Sequence, residues 1–149
     1  MTNFFSLVNT NFHLGNGQEV KGINLDIPKR GDIVCLLGPS GSGKTTILRT
    51  IAGLEELKFG EIWLNGKILS SEDKHVSPEK RNIALSFQDN CLFPHKNISE
   101  NINLGLKKNY NKKFKYDFSD LISIFELNDV KDKYPHEISS GEAQRVSIA

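Results

Sequence analysis

Gly38-Pro39-Ser40-Gly41-Ser42-Gly43-Lys44-Thr45 satisfies the pattern G-x-x-x-x-G-K-[ST] without a mismatch. The apolar run Ile33-Val34-Cys35-Leu36-Leu37 ahead of it reads as a buried strand, and Thr46-Ile47-Leu48-Arg49-Thr50-Ile51-Ala52 behind it reads as a helix. Strand, glycine loop and helix is the order a phosphate-binding loop requires. Gly38, Gly41 and Gly43 allow a tight turn whose N–H groups approach an anion, and the helix starting near Lys44 adds the positive end of its dipole. Lys44 would reach the β- and γ-phosphates and Thr45 would place a hydroxyl on Mg²⁺. Ser40, Ser42 and Thr46 would add hydroxyl or N–H donors, with Pro39 shaping the turn. A plain linking turn needs neither the lysine nor the hydroxyl after it.

The chain of 149 residues has the length of one domain, and 38% apolar with 25% charged residues is ordinary for a globular protein. A formal net charge of +1 gives no argument for nucleic acid or for an anionic membrane surface. Lysines gather at Lys107, Lys108, Lys112, Lys113 and Lys115, but asparagines are interleaved, so the segment reads as a solvated loop. Cys35 and Cys91 lie far apart without metal-ligand spacing and suggest a reducing compartment rather than a disulfide framework. The amino terminus lacks a secretion signal, and no apolar run approaches the roughly 20 residues of a membrane helix. Membrane association is therefore expected only through partners.

Phe4 to Val8 and Val20 to Ile27 read as strands, the second with an irregularity at Gly22. Gly53 is placed to cap the first helix, and Asn65-Gly66 between two apolar runs predicts a type I′ hairpin. Asn82 to Phe87 reads as a strand with Gln88 at its end, where a polar side chain of an open α/β sheet faces ligand, Mg²⁺ or water. Beyond Gln88 helix signals take over. Ser99 is the cap expected for a short helix reaching Leu104, and Asp117 to Leu127 carries Phe118, Leu121, Ile122 and Phe125 on one face. A last helix starts near Ser139 or Ser140. His13, His75, His95 and His136 are too scattered to make a metal set or a dyad, and no G-x-S-x-G elbow supports a hydrolase of the serine type.

Three stretches taken together resemble the ATP-binding cassette (ABC) ATPases over nearly the whole chain. Leu37 to Thr46 looks like the Walker A segment, Ser86-Phe87-Gln88-Asp89 like the Q-loop, and Ile138-Ser139-Ser140-Gly141-Glu142-Ala143-Gln144-Arg145 like the signature L-S-G-G-Q-x-Q-R. The resemblance implies an α/β fold: a P-loop NTPase with a RecA-like core, an antiparallel β subdomain at the amino end and a helical subdomain. It divides the chain into 1–87, an incomplete ATP-binding core, and 88–149, the Q-loop, helical subdomain and start of the signature helix. It also implies a head-to-tail pair with a second cassette, so that Ser139, Ser140, Gly141 and Glu142 address the γ-phosphate of an ATP on the partner. Gln88 would sense Mg²⁺ and the γ-phosphate and couple them to transmembrane permease subunits, placing the protein at the cytoplasmic face of the cell membrane.

Leu92-Phe93-Pro94-His95, Pro78 to Ile83 and Tyr134-Pro135-His136-Glu137 resemble the importers of the iron(III), polyamine, sulfate and maltose group, with a lean to iron(III). A solute-binding protein would then act indirectly, and no nucleic acid is expected. Departures are Ile138, Ser140 and Glu142 in the signature, and Leu14 where the family stacks an aromatic ring on adenine. Phe12 is the nearest substitute for that ring. The Walker B aspartate, the catalytic glutamate and the switch histidine have no counterpart, so the resemblance implies the amino-terminal part of a longer ATPase, with no residue in the role of general base. The alternatives are a soluble ABC ATPase acting on nucleic acid or ribosomes, and a nucleotide-binding fragment without turnover. Gln88 and Ser139 are joined by a compact segment without sustained heptads, which favours transport over the coiled-coil repair branch.

Overall fold

A computed structural model describes residues 3–14, 17–87, 89–107 and 116–149. Gln88 and the lysine-rich segment from Lys108 to Lys115 lie outside these described residues. The chain packs as two units, Met1–Leu85 and Ser86–Ala149.

In the first unit, β1 (Phe5–His13) pairs antiparallel with both β2 (Glu19–Ile27) and β3 (Phe59–Leu64). β3 continues into β4 (Lys67–Ser71) and β5 (Lys74–His75), so the sheet order is β2-β1-β3-β4-β5. Asn65 and Gly66 both take positive φ, 51° and 71°, and Leu64 pairs with Lys67 across them, as the Asn-Gly hairpin predicts. Polar Lys74 and His75 form a short edge strand that the sequence pattern did not reveal.

β1 carries one device that decides its register. Phe5 and Leu7 face the core, and so do Thr10 and Phe12, so the buried face changes from odd to even positions. The change falls at a bulge between Leu7 and Thr10, where Asn9 has φ 48°. Thr10 would otherwise be a buried hydroxyl without a partner; its Oγ1 donates to the Ile23 carbonyl at 3.0 Å. The bulged backbone lies directly over Gly60. A Cβ built on Gly60 would stand 2.6 Å from the Val8 carbonyl oxygen and closer still to that of Asn9, at a φ of 90°. Phe5, Leu7, Phe12, Ile62 and Leu69 of the sheet, with Ile47 and Leu57, form the core of this unit.

Helix α1 (Lys44–Ala52) follows the glycine loop and buries Ile47, Thr50 and Ala52. It ends as Gly53 predicts. Gly53 takes φ 86°, its N–H donates to Thr50 O, and the Leu54 N–H reaches back to Arg49 O at 2.9 Å, the paired bonds of a Schellman motif. The two segments expected as strands, Ile33 to Leu37 and Asn82 to Phe87, join no ladder. The reason is a missing neighbour: an apolar strand of a parallel sheet is stable only between hydrogen-bonded partners, and no described residues supply one. Ile33 and Leu37 are accordingly 92% and 91% exposed.

The second unit packs α2 (Ile98–Lys107), α3 (Phe118–Ile124) and α4 (Ser140–Ile148) around Ile98, Ile102, Ile122, Leu127, Val130 and Val146. Each helix start is closed by a reciprocal pair. At α2 the pair is Asn97 and Glu100 rather than the expected Ser99, whose hydroxyl instead donates to Lys131 O. Asp117 and Asp120 close α3, which ends earlier than expected, at Phe125, before Glu126 with φ 54°. Ser139 and Glu142 close α4. Among the described residues no helix is long and apolar enough to cross a membrane.

Two predictions follow from this local chemistry. Gly60→Ala should lower stability by about 2 kcal/mol or more, because it forces both a left-handed non-glycine residue and a backbone clash. A wild-type denaturation midpoint by circular dichroism would contradict the bulge geometry. The Glu142 carboxylate is held below the ordinary glutamate range, first by the Ser139 hydroxyl, then by the Ser139 N–H, with Arg145 and Lys133 adding attraction. A depressed pKa contributes stability above the unfolded value and loses it as pH falls through the folded one. The stability difference between wild type and Glu142→Gln at pH ~7 should therefore shrink as pH approaches ~3. A pH-independent difference in urea titrations would rule this out.

Candidate phosphate loop and signature helix

The first candidate site is the loop from Gly38 to Thr46. Gly38, Pro39, Ser40, Gly41 and Thr45 are exposed, while Ser42, Gly43, Lys44 and Thr46 are half-buried. The chain turns at Pro39–Ser42, closed by the Ser42 N–H on Pro39 O at 3.3 Å. Gly41 and Gly43 take φ of 80° and 91°, so the two positions that require left-handed backbone are occupied by the residue that tolerates it. Gly43 sits immediately ahead of α1, and its carbonyl accepts from Ile47 at 2.9 Å, starting the helix.

The Lys44 ammonium turns back over the loop. Nζ donates to Pro39 O at 2.7 Å, Gly38 O at 2.9 Å and Ser42 Oγ at 3.3 Å. All three of its donors meet uncharged oxygens of the loop itself. The cation is thereby held among the turn's own backbone, beside the N-terminal turn of α1. An anion bound at this turn would find the positive charge beside it, available once Nζ exchanges loop oxygens for the anion. Among the described residues no carboxylate is bonded to Lys44, and its ammonium is met by the dipoles of the loop.

The ends of β1 and β2 press against this loop. A Cβ on Gly43 would stand 2.5 Å from Leu14 Cδ2 and 3.5 Å from Val20 Cγ2. Leu14 is therefore next to the third loop glycine, the place at which sequence reasoning looked for an aromatic ring. Phe12, named as the substitute, is 2% exposed, pairs with Val20 in the ladder and packs among Phe5, Leu7 and Ile62. The bulge at Asn9 is the cause, since it turns the even positions of late β1 inward.

The second set is the start of α4, in the other unit. Ser139, Ser140 and Gly141 are exposed and Glu142 is half-buried. Ser139 Oγ donates to Glu142 Oε2 at 2.7 Å and accepts from the Glu142 N–H at 3.3 Å, and the Ser139 N–H also donates to Oε2, at 2.7 Å. A glutamine here would accept the same bonds without the negative charge. Arg145 Nε donates to Phe125 O at 3.0 Å and so fixes α4 against the end of α3. Among the described residues no group of three His, Cys, Asp or Glu could hold a metal ion. The hydroxyl of Thr45, exposed in the first turn of α1, is a hard oxygen donor of the kind Mg²⁺ takes together with phosphate oxygens and water. Sequence reasoning gave Arg81 no role of its own, since it follows Lys80 in a polar stretch, although it is among the most deeply buried side chains of its unit.

The ABC transporter family model matches residues 20–149. The sulfate/thiosulfate import ATP-binding protein CysA of Synechocystis sp. is 43% identical over 143 residues, which cover 95% of this chain and 39% of that protein. The Fe(3+) ions import ATP-binding protein FbpC of Escherichia coli K12 is 38% identical over 149 residues, 99% of this chain and 41% of the relative. This chain thus spans about 40% of the length of these curated relatives. Among solved structures, cbiO1 from Clostridium perfringens, part of the ABC transporter complex cbiONQ, shares the fold with a TM-score of 0.77 at 24% identity, over 99% of this chain and 60% of that one. The ATP-binding cassette MJ0796, a dimer bound to ADP and Pi in a post-hydrolysis state, aligns with a TM-score of 0.74 at 26% identity, over 97% of this chain and 67% of its own. With a family match over residues 20–149, the chain belongs to the ABC transporter family.

Proposed function

We propose that this chain is the nucleotide-binding portion of an importer ATPase that couples ATP to the uptake of an inorganic ion. The observation that carries the reading is the Lys44 ammonium held over the Gly38–Thr46 turn at the start of α1. The β- and γ-phosphates are bound by the loop's N–H groups and by Lys44, which exchanges contacts with Gly38 O, Pro39 O and Ser42 Oγ for charge-assisted bonds to phosphate. Ser40, Ser42 and Thr46 add donors. Leu14 and Val20 offer the base an apolar surface in place of a stacking ring. Mg²⁺ accompanies ATP and offsets phosphate charge; Thr45 and Gln88 are its protein partners, Gln88 lying outside the described residues.

The signature helix serves a second copy. Ser139 and Ser140 present hydroxyls, and Gly141 an N–H, to the γ-phosphate of ATP held by the partner cassette, so ATP joins two copies. The dimeric relative bound to ADP and Pi supports such pairing. Glu142 is the departure, because its carboxylate holds the Ser139 hydroxyl as donor and adds a negative charge near the phosphate. Residues 1–87 form the ATP-binding core in this reading and 88–149 the portion that couples to permease subunits at the cytoplasmic membrane face, a solute-binding protein acting upstream. Similar import proteins carry sulfate or thiosulfate as well as iron(III), so iron(III) shares its support with sulfate. No residue of 1–149 is given the role of general base.

Lys44→Ala should weaken MgATP binding by about 1.5–3 kcal/mol, the loss of a charge-assisted contact to phosphate. Equal affinity of variant and wild type in calorimetric titration would remove the phosphate-loop assignment. Ser139→Ala should leave nucleotide binding to one copy unchanged and reduce ATP-dependent dimerisation of the complete protein. Sedimentation showing undiminished dimers would remove the signature assignment.

A further inference from the structure

Arg81 is 1% exposed and uses every arm of its guanidinium. Nε donates to Val76 O at 2.6 Å. Nη1 donates to Thr50 O and Ile51 O, each at 3.0 Å, and Nη2 to Ser70 Oγ at 2.7 Å and His75 Nδ1 at 3.3 Å. Arginine can only donate, so the His75 proton sits on Nε2. All five acceptors are uncharged, and burial pushes the guanidinium pKa down from its ordinary value. What compensates this cation is the negative end of a helix dipole, since Thr50 and Ile51 are among the last carbonyls of α1.

The arrangement joins two pieces of the first unit that sequence separates. One side of the fork holds the end of α1 and the other holds the β4–β5 hairpin through Ser70, His75 and Val76. Gly53, which closes α1, has no room for a side chain because a Cβ there would stand 2.8 Å from Arg81 Cζ. α1 buries only Ile47, Thr50 and Ala52, and the segments 33–37 and 82–87 give it no ladder to lie on. A helix from Lys44 to Ala52 behaves as a short rod, about 13 Å at 1.5 Å per residue, so fixing one end fixes the other.

We propose that Arg81 is the positioning residue of the phosphate loop. It touches no nucleotide; by clamping the last carbonyls of α1 to the β4–β5 hairpin it sets where Lys44 and Thr45 stand. A lysine in its place keeps the charge, but its three donors sit on one nitrogen and cannot span the helix end and the hairpin as the guanidinium fork does. The inference rests on the phosphate-loop reading for its consequence in nucleotide affinity.

The test uses Arg81→Lys and Arg81→Met in the full chain, each checked for folding by circular dichroism. MgATP affinity and amide hydrogen exchange along α1 are then measured at a temperature where the variants are folded. Folded Arg81→Lys should bind MgATP about threefold to tenfold more weakly than wild type, with Arg81→Met weaker still. Exchange should rise along α1 as far as the Ile47 and Leu48 amides of its first turns. A purely structural role would cost thermal stability alone. Wild-type affinity in folded Arg81→Lys, or faster exchange confined to Thr50–Gly53, would overturn the proposal. If Arg81→Met does not fold, Arg81→Lys decides. If wild type itself fails to bind MgATP, the phosphate-loop reading falls, and exchange at Ile47 and Leu48 still decides whether Arg81 places α1.

Discussion

Gly43 is the point on which the first unit turns. Its φ of 91° starts α1 in a direction no other residue takes without strain, and Leu14 and Val20 fill the space a side chain would need. Sheet, loop and helix therefore meet at a residue chosen for the absence of a Cβ. From that junction the loop curls back under the Lys44 ammonium, and the helix runs to Gly53, where a second left-handed glycine leaves room for Arg81. A cation bound by its own loop's oxygens stands near one end of α1, and a buried cation bound by helix carbonyls stands at the other.

The antiparallel sheet serves this junction through a local irregularity. A regular β1 would bury one parity throughout and turn Phe12 outward; the bulge at Asn9 turns Phe12 inward and leaves Leu14 beside the loop. That bulge in turn needs Gly60 beneath it. The chain of dependence runs from one glycine in β3, through backbone register in β1, to the aliphatic side chain at the candidate site. In the second unit the same economy of local chemistry fixes each helix start, with Ser139 and Glu142 capping α4 and the Ser139 hydroxyl donating to the Glu142 carboxylate.

Short-range chemistry was legible in the residues. The glycine turn ahead of α1, the Gly53 cap, the Asn65-Gly66 turn and the Asp117 helix start are decided by neighbours within a few positions, and pattern alone finds them. Ile33 to Leu37 was misread as a formed strand because apolar periodicity reports burial potential, while a strand exists only where another backbone pairs with it. The inward turn of Phe12 was not legible because a bulge shifts face parity and leaves no mark at the residues that follow it. Arg81 was invisible for a different reason. Its acceptors are carbonyls, a hydroxyl and a ring nitrogen spread from Thr50 to Val76, and no spacing rule joins those positions.

An anionic polyphosphate should bind at the turn before α1. Amide chemical-shift mapping of the isotope-labelled chain during titration with MgATP tests it directly. The largest shifts should fall on Gly41, Gly43, Lys44, Thr45 and Thr46, with smaller ones on Leu14 and Val20. Shifts centred elsewhere, or none at the loop with ATP in excess, would contradict the account.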